Sequence, residues 1–285
     1  MTQTDAPFSQ IGIVGLGLIG GSVALAARRA WPGITIVGFD RHAATAERAL
    51  RRTVSRTVDH LSDLDGSDLV LFAVPVAAMI ELLPELSRFS HPCVATDVGS
   101  TKLQVMDVAA AAGLNTFIGV HPMAGSERGG LDHATPDLFN RRPWLLVARD
   151  ETSAPAKRLE RFVAGIGGIP HWMGADDHDR AIAFVSHLPQ IVSVAIMNAA
   201  AGALDARGLA AGGRAFDEMT RLAASPSDLW EGILTRNADY VAEALAAFME
   251  GLPTAENLAN AGWIKDTFDR AAAARARARE GLPPR

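Results

Sequence analysis

The sequence predicts an α/β protein in two parts: a doubly wound parallel sheet over residues 1–174, then an all-helical part over residues 175–285. Three observations carry that expectation. Compact apolar runs of strand length alternate with alanine-rich or amphipathic stretches through the first half, as in a parallel sheet covered on both faces. A glycine-rich turn, Gly15-Leu16-Gly17-Leu18-Ile19-Gly20, separates the first run from the first such stretch. After Gly174 the texture changes, and no strand-like run recurs between residues 176 and 273.

Residues 11–14, 34–39, 69–73, 93–97, 117–120 and 144–148 read as strands, and 18–30, 43–51, 76–87 and 102–112 as the helices between them. A helix over 154–166 and a short run over 169–173 finish this part. In the second part, helices break at Gly212-Gly213, Pro226 and Pro253, and Pro189 is expected to kink the first long helix. There is no internal repeat of solenoid length. The tail, with five arginines among alanines from residue 270 onward, reads as a solvated helix end.

Composition narrows the functional classes. At 285 residues, 48% hydrophobic and 21% charged, the chain has the make-up of a soluble globular protein of about two domains. Lys+Arg 27 against Asp+Glu 32 leaves −5, so no global charge favours nucleic acid or an anionic membrane as partner. One cysteine, Cys93, excludes an internal disulfide framework and a cysteine-rich metal site, and fits a cytoplasmic protein. The N-terminus shows neither the basic start nor the apolar run of a signal peptide. Residues 181–204 carry no Asp, Glu, Lys or Arg and are long enough to span a bilayer. They also hold Ser186, His187, Pro189, Gln190, Ser193 and Asn198, which lipid penalises, so a helix covered by protein is expected.

The glycine turn sits where a βαβ unit binds a dinucleotide. Gly15 allows the tight turn, Gly17 lets backbone approach a pyrophosphate, and Gly20 permits close helix–strand packing. The first helical residues, Leu18 and Ile19, would offer N–H groups and a favourable dipole to the phosphates. This makes the sheet Rossmann-like. Asp40, 20 residues past Gly20, closes the second strand and would accept both ribose hydroxyls. NAD is therefore expected over NADP, with NADP kept open by Arg41, which could pair with a 2′-phosphate. Val74 and Pro75 after the third strand suit a small apolar wall beside the cofactor.

Ligands in such sheets bind beyond the carboxyl ends of the strands. Two further segments, 97–102 and 121–127, lie there, so Ser100 and His121 are expected on rim loops near a nicotinamide. A neutral histidine is matched to removing a hydroxyl proton as hydride leaves an alcohol, and a serine can fix the geometry. Residue types alone leave alternatives: Ser100 as N-cap of the helix beginning at Thr101, and His121 as a satisfied rim histidine. His187 could be a packed core histidine, and Arg221 could pair with Asp217 one turn earlier. The other histidines, 42, 60, 91, 133, 171 and 178, show no metal-ligand spacing, and no metal is expected.

Residues 15–22, 97–102 and 121–127, then Val185-Ser186-His187-Leu188-Pro189, the run 217–223, Trp230 and Asn237, resemble the prephenate/arogenate (cyclohexadienyl) dehydrogenase family of tyrosine biosynthesis. The resemblance covers about residues 11–250. Two departures stand out: Gln190 where many members have a second histidine, and no regulatory module after the helical part. The resemblance implies a dehydrogenase that takes hydride from ring C4 of prephenate or arogenate and releases CO2, yielding 4-hydroxyphenylpyruvate or tyrosine. By the same resemblance, His121 accepts the proton of the 4-hydroxyl and Ser100 holds His121 and that hydroxyl in line. Arg221 matches the family arginine for a substrate carboxylate, and His187 the histidine that positions substrate. Glu127 is a candidate for gating or for the substrate side chain, and Gln190 a candidate for choosing between the two substrates. Lys102 reads as support for its loop.

The uncharged helix needs a partner surface, so a homodimer built through the helical part is expected. Two rivals stay open at this point: another two-domain β-hydroxyacid or imine dehydrogenase, and a non-catalytic NAD-binding sensor. The hydroxyacid type would need a lysine in the helical part, where the chain has only Lys265.

Overall fold

A computed structural model describes residues 5–125 and 128–280. The apolar runs assemble into an eight-stranded sheet of β1 (Gln10–Val14), β2 (Thr35–Phe39), β3 (Arg56–Val58), β4 (Leu69–Phe72), β5 (Val94–Asp97), β6 (Phe117–Pro122), β7 (Pro143–Val147) and β8 (Ile169–Trp172). Their order is β3-β2-β1-β4-β5-β6-β7-β8, so the winding reverses between β1 and β4, the crevice where such sheets bind ligands. The first six strands pair in parallel.

Two features depart from expectation. β7 runs antiparallel to β6 while pairing in parallel with β8. β3 was not expected at all: its three residues, Arg56, Thr57 and Val58, are exposed or half-buried at the sheet's edge and give no apolar run.

Helices α1 (Leu18–Ala30), α2 (Ala43–Arg52), α3 (Val76–Leu82), α4 (Leu103–Ala111) and α5 (Ala154–Gly165) cover the sheet. Strand alternation divides its core in two. Ile13 and Leu71 pack on one face with Val23, Ala27 and Phe162, while Val14 and Phe72 pack on the other with Met79 and Val105.

The second part is helical: α6 (Ala175–Ile182), α7 (Leu188–Ala203), α8 (Ala206–Ala210), α9 (Arg214–Thr220), α10 (Ser227–Arg236), α11 (Ala238–Glu250), α12 (Ala255–Leu258) and α13 (Ala261–Glu280). At the proline where a kink was expected, α6 passes into α7 through a π turn, Ala183–His187. Pro189 has no N–H, and its ring crowds the carbonyl four residues earlier; widening the preceding turn absorbs both effects.

The continuous helix Ala175–Ala203 is, among the described residues, the one long and apolar enough to cross a membrane, yet only 28% of its most apolar window is buried by its own chain. Val185 is 65% and Leu204 50% exposed. A single chain thus leaves uncovered the helix that was expected to be covered by protein.

The chain divides into two compact units, Met1–Val241 and Ala242–Arg285. The first therefore runs past Gly174 and takes in α6 to α10, of which α6 is hydrogen-bonded to the sheet's rim through His178 and Asp179. In the second, Thr254 caps α12 by accepting from the Asn257 N–H at 3.2 Å.

Candidate active site

β1 ends at Val14 and the chain reverses at Gly15, whose φ of +93° strains any side-chain-bearing residue. A Cβ there would stand 2.5 Å from the Ala73 carbonyl oxygen, and one on Gly20 would stand 2.0 Å from the Gly15 oxygen. These are the turn and packing roles read from the spacing. A Cβ on Gly17 would meet nothing within 4 Å. Gly17 instead borders a cavity of about 230 Å³ with Gly15, Asp40, Arg41, Val74 and Pro75.

Asp40 is fixed there by backbone: its Oδ2 accepts from the Leu16 N–H and its Oδ1 from the His42 N–H, each at 2.9 Å. The neighbouring Arg41, also on the cavity wall, donates from Nε to His42 Nε2 at 3.0 Å.

α1 begins at Leu18 without a side-chain cap and without an acidic residue in its first turn. Leu18 and Ile19 line a second cavity, of about 590 Å³, shared with Ser100 and with Leu229, Ile233 and Arg236 of α10. Val74 and Pro75 border both cavities. A carboxylate pocket, a glycine opening and an uncapped helix N-terminus in succession fit a dinucleotide.

The chemistry-bearing groups gather at the carboxyl ends of β5 and β6 and on the helices that follow the sheet. His121 sits at the penultimate position of β6, on the strand itself rather than on the loop after it. Its Nδ1 is 3.1 Å from His178 Nε2, and His178 Nδ1 is 2.7 Å from Asp179 Oδ1. Asp179, which is 1% exposed, also accepts from the Lys102 N–H at 2.7 Å and the Leu103 N–H at 2.9 Å. Asp179, from another helix, therefore caps α4. Ser100 is not that cap; it faces the second cavity.

The polarity of the chain follows from the carboxylate. Asp179 can only accept, so His178 donates from Nδ1 and presents Nε2 as acceptor. His121 then donates from Nδ1, which leaves the Nε2 lone pair to take a proton. Burial pushes the His121 pKa well below its usual 6.5, and the Lys102 charge and the other two histidines push the same way. His121 is thus a neutral imidazole near neutrality. Burial lowers the His178 pKa as well, opposed by the Asp179 hydrogen bond.

Lys102 and Asp97 form a buried ion pair at 2.6 Å, with both side chains fully buried. Lys102 Nζ also donates to the Gly99 carbonyl at 2.9 Å, and Asp97 accepts from the Gly99 N–H at 2.7 Å and the Val120 N–H at 3.0 Å. The pair thereby ties the Ser100 loop to β6 just ahead of His121.

His187 ends the π turn, fully buried. The Asn237 amide donates to His187 Nδ1 at 3.1 Å and to the Asp179 carbonyl at 2.8 Å. His187 Nε2 therefore carries the ring proton, a buried donor with no partner among the described residues. Burial lowers the His187 pKa to about 4. The Trp230 ring stands edge-on to it, centroids 5.9 Å apart.

The remaining sequence candidates fall elsewhere. Gln190 is buried but engaged with backbone, donating to the Leu222 carbonyl at 2.8 Å. It anchors the turn Arg221–Ala224, on which Arg221 itself is exposed and outside the lining of the second cavity. Glu127 lies outside the described residues. His178, without metal-ligand spacing, and Asp179 do not stand out in the sequence as catalytic supports. The signal available was a His-Asp pair just past the composition change at Gly174.

A doubly wound sheet with a dinucleotide-shaped cleft at its switch point, met by helices that carry part of a polar relay, defines the class: a nucleotide-binding dehydrogenase of two parts. Comparison with known proteins narrows it. Residues 23–169 match the nucleotide-binding domain, and residues 174–267 the dimerization domain, of prephenate dehydrogenase. The chain belongs to the prephenate dehydrogenase family. It is 33% identical to the prephenate dehydrogenase of Bacillus subtilis over 240 residues, 80% of this chain and 64% of that protein. It is 32% identical to the cyclohexadienyl dehydrogenase of Zymomonas mobilis over 258 residues, 86% of each. The crystal structure of A. aeolicus prephenate dehydrogenase, in complex with hydroxyphenyl propionate and NAD+, superposes with a TM-score of 0.84 at 25% identity, covering 95% of this chain and 97% of that one.

Proposed function

We propose that this chain catalyses the NAD-dependent oxidative decarboxylation of prephenate, arogenate or both. The observation that supports the reading is the Asp179–His178–His121 chain, which leaves one ring nitrogen of His121 unprotonated at the carboxyl end of β6, the end of the sheet at which the dinucleotide cleft opens. The names of the relatives support the substrate class.

Bound NAD supplies the hydride acceptor. The protein's part is proximity and proton removal. His121 Nε2 takes the proton of the ring hydroxyl as hydride leaves C4 of the substrate. The imidazolium so formed strengthens its Nδ1–H bond to His178, while Asp179 keeps His178 in the tautomer that can accept it. Ser100, on the cavity wall, is assigned to orient the hydroxyl. His187 Nε2–H is a donor for a substrate oxygen, and Arg221 is assigned to the ring carboxylate on family grounds. The product of hydride loss is a dienone with its carboxylate para to the new carbonyl, and loss of CO2 restores aromaticity without further help.

Asp40 favours NAD, since a 2′-phosphate would meet its carboxylate. Residues 1–174 are assigned to cofactor binding and 175–285 to substrate binding and dimerisation. The exposed apolar side of the Ala175–Ala203 helix is assigned to a second copy rather than to lipid: the exposed Asn198 would be costly in a bilayer, and the matched family domain is described by dimerization. A cytoplasmic setting fits the single thiol, Cys93. Between Gly174 and Val241 there is no lysine, which disfavours a hydroxyacid dehydrogenase chemistry.

Purified protein should reduce NAD in the presence of prephenate or arogenate, followed by absorbance of the reduced nicotinamide, with NADP run alongside. Tight NAD binding without turnover of either substrate would convert the reading to that of a sensor.

A further inference from the structure

The α10 face that closes the second cavity presents Leu229, Gly232, Ile233 and Arg236, a spacing of three, four and seven residues along one side of the helix. Three of these are apolar or small. Arg236 is the cation among them, at the helix's last turn, next to Asn237, which holds His187.

Its guanidinium is incompletely used. Nη1 donates to the Gly232 carbonyl of its own helix at 2.9 Å. Nε is buried with no partner among the described residues, and no carboxylate there pairs with it. Asp228 borders the same cavity but lies two turns back along α10. Nε is enclosed, but the residue as a whole is half-buried and borders the cavity, so its charge faces that space without a carboxylate to balance it. Leu18 and Ile19, the uncapped positive end of α1, line the same cavity. Two donor surfaces thus border one cavity, and the ligand that suits them is an oxyanion.

We propose that Arg236 is an oxyanion-binding residue of this cleft, completing from the helical side the site that the start of α1 opens from the sheet side. The proposal rests on the dinucleotide reading above. The anion is a phosphate or carboxylate oxygen, and the diphosphate of the dinucleotide is the expected source because the start of α1 borders the same space.

The test is NADH binding, followed by fluorescence titration without substrate, together with steady-state KM for substrate. Arg236→Gln should weaken NADH binding by about tenfold to a hundredfold, as for a lost charge-assisted hydrogen bond, with an unchanged melting temperature of the ligand-free protein. Arg236→Lys should recover part of that loss. Unchanged NADH affinity with a raised KM for substrate would keep the anion site and assign the anion to the substrate's carboxylate. Normal values for both would overturn the proposal, and so would a loss fully explained by a lowered melting temperature in Arg236→Gln and Arg236→Lys alike. Failure of the unsubstituted protein to bind NADH would instead sink the dinucleotide reading, and the role of Arg236 with it.

Discussion

His178 Nε2 stands 3.1 Å from His121 Nδ1, so the ring at the end of β6 is oriented by a residue of α6. The two groups have different jobs, and substitution should separate them. His121→Asn should lower kcat by roughly 10²–10⁴-fold with little change in NAD affinity, as for a lost general base. His178→Gln should lower kcat less and move the pH profile, since the base remains and only its tautomer and pKa are released. Equal losses with unshifted profiles would make both roles merely structural.

The His121 pKa lies well below 6.5, so activity should hold as pH drops through 6.5 and fall only below it. A kcat/KM profile whose acid limb centres above 6.5 would contradict a buried neutral base.

Stability should follow the same histidines. His121, His178 and His187 all titrate lower in the fold than their usual 6.5, His187 at about 4. The unfolded chain then binds more protons between those values, so their contribution is full above 6.5 and drains away as pH falls toward 4. Thermal melting across that window should show a falling Tm. A flat Tm would mean the rings are hydrated.

Lys102→Met should destabilise by about 3–5 kcal/mol, because it strands a buried Asp97 carboxylate. Adding Asp97→Asn should recover part of the loss. Denaturant unfolding of both variants decides it, and additive losses would show that the pair is not coupled.

Asp40→Ala should raise the preference for NADP relative to NAD by about tenfold or more, since it removes a like charge from the ribose pocket and leaves Arg41 nearby. An unchanged ratio would place the ribose elsewhere.

The sheet was legible because seven of its eight strands are apolar runs, and the cofactor loop because glycine spacing is a direct consequence of backbone geometry at Gly15 and Gly20. β3 was not, being short, polar and stabilised by its neighbour β2 rather than by its own composition. His121 and Ser100 could be placed near the rim from strand endings alone. Their supports could not: Asp179 reaches Lys102 across 77 positions, and Asn237 reaches His187 across 50. Contacts that distant leave no period in a sequence. Gln190, a candidate for choosing between substrates, also holds the turn at Leu222, a contact 32 positions away that the sequence does not display.

The chain has three lysines, and two of them, Lys157 and Lys265, have side chains 53% and 75% exposed while Lys102 shows none of its surface. An amine-directed acylating reagent should therefore mark those two at once and reach Lys102 only when the loop beside the reaction centre opens. The rate of that third label would report transient opening at that spot, without any engineered probe.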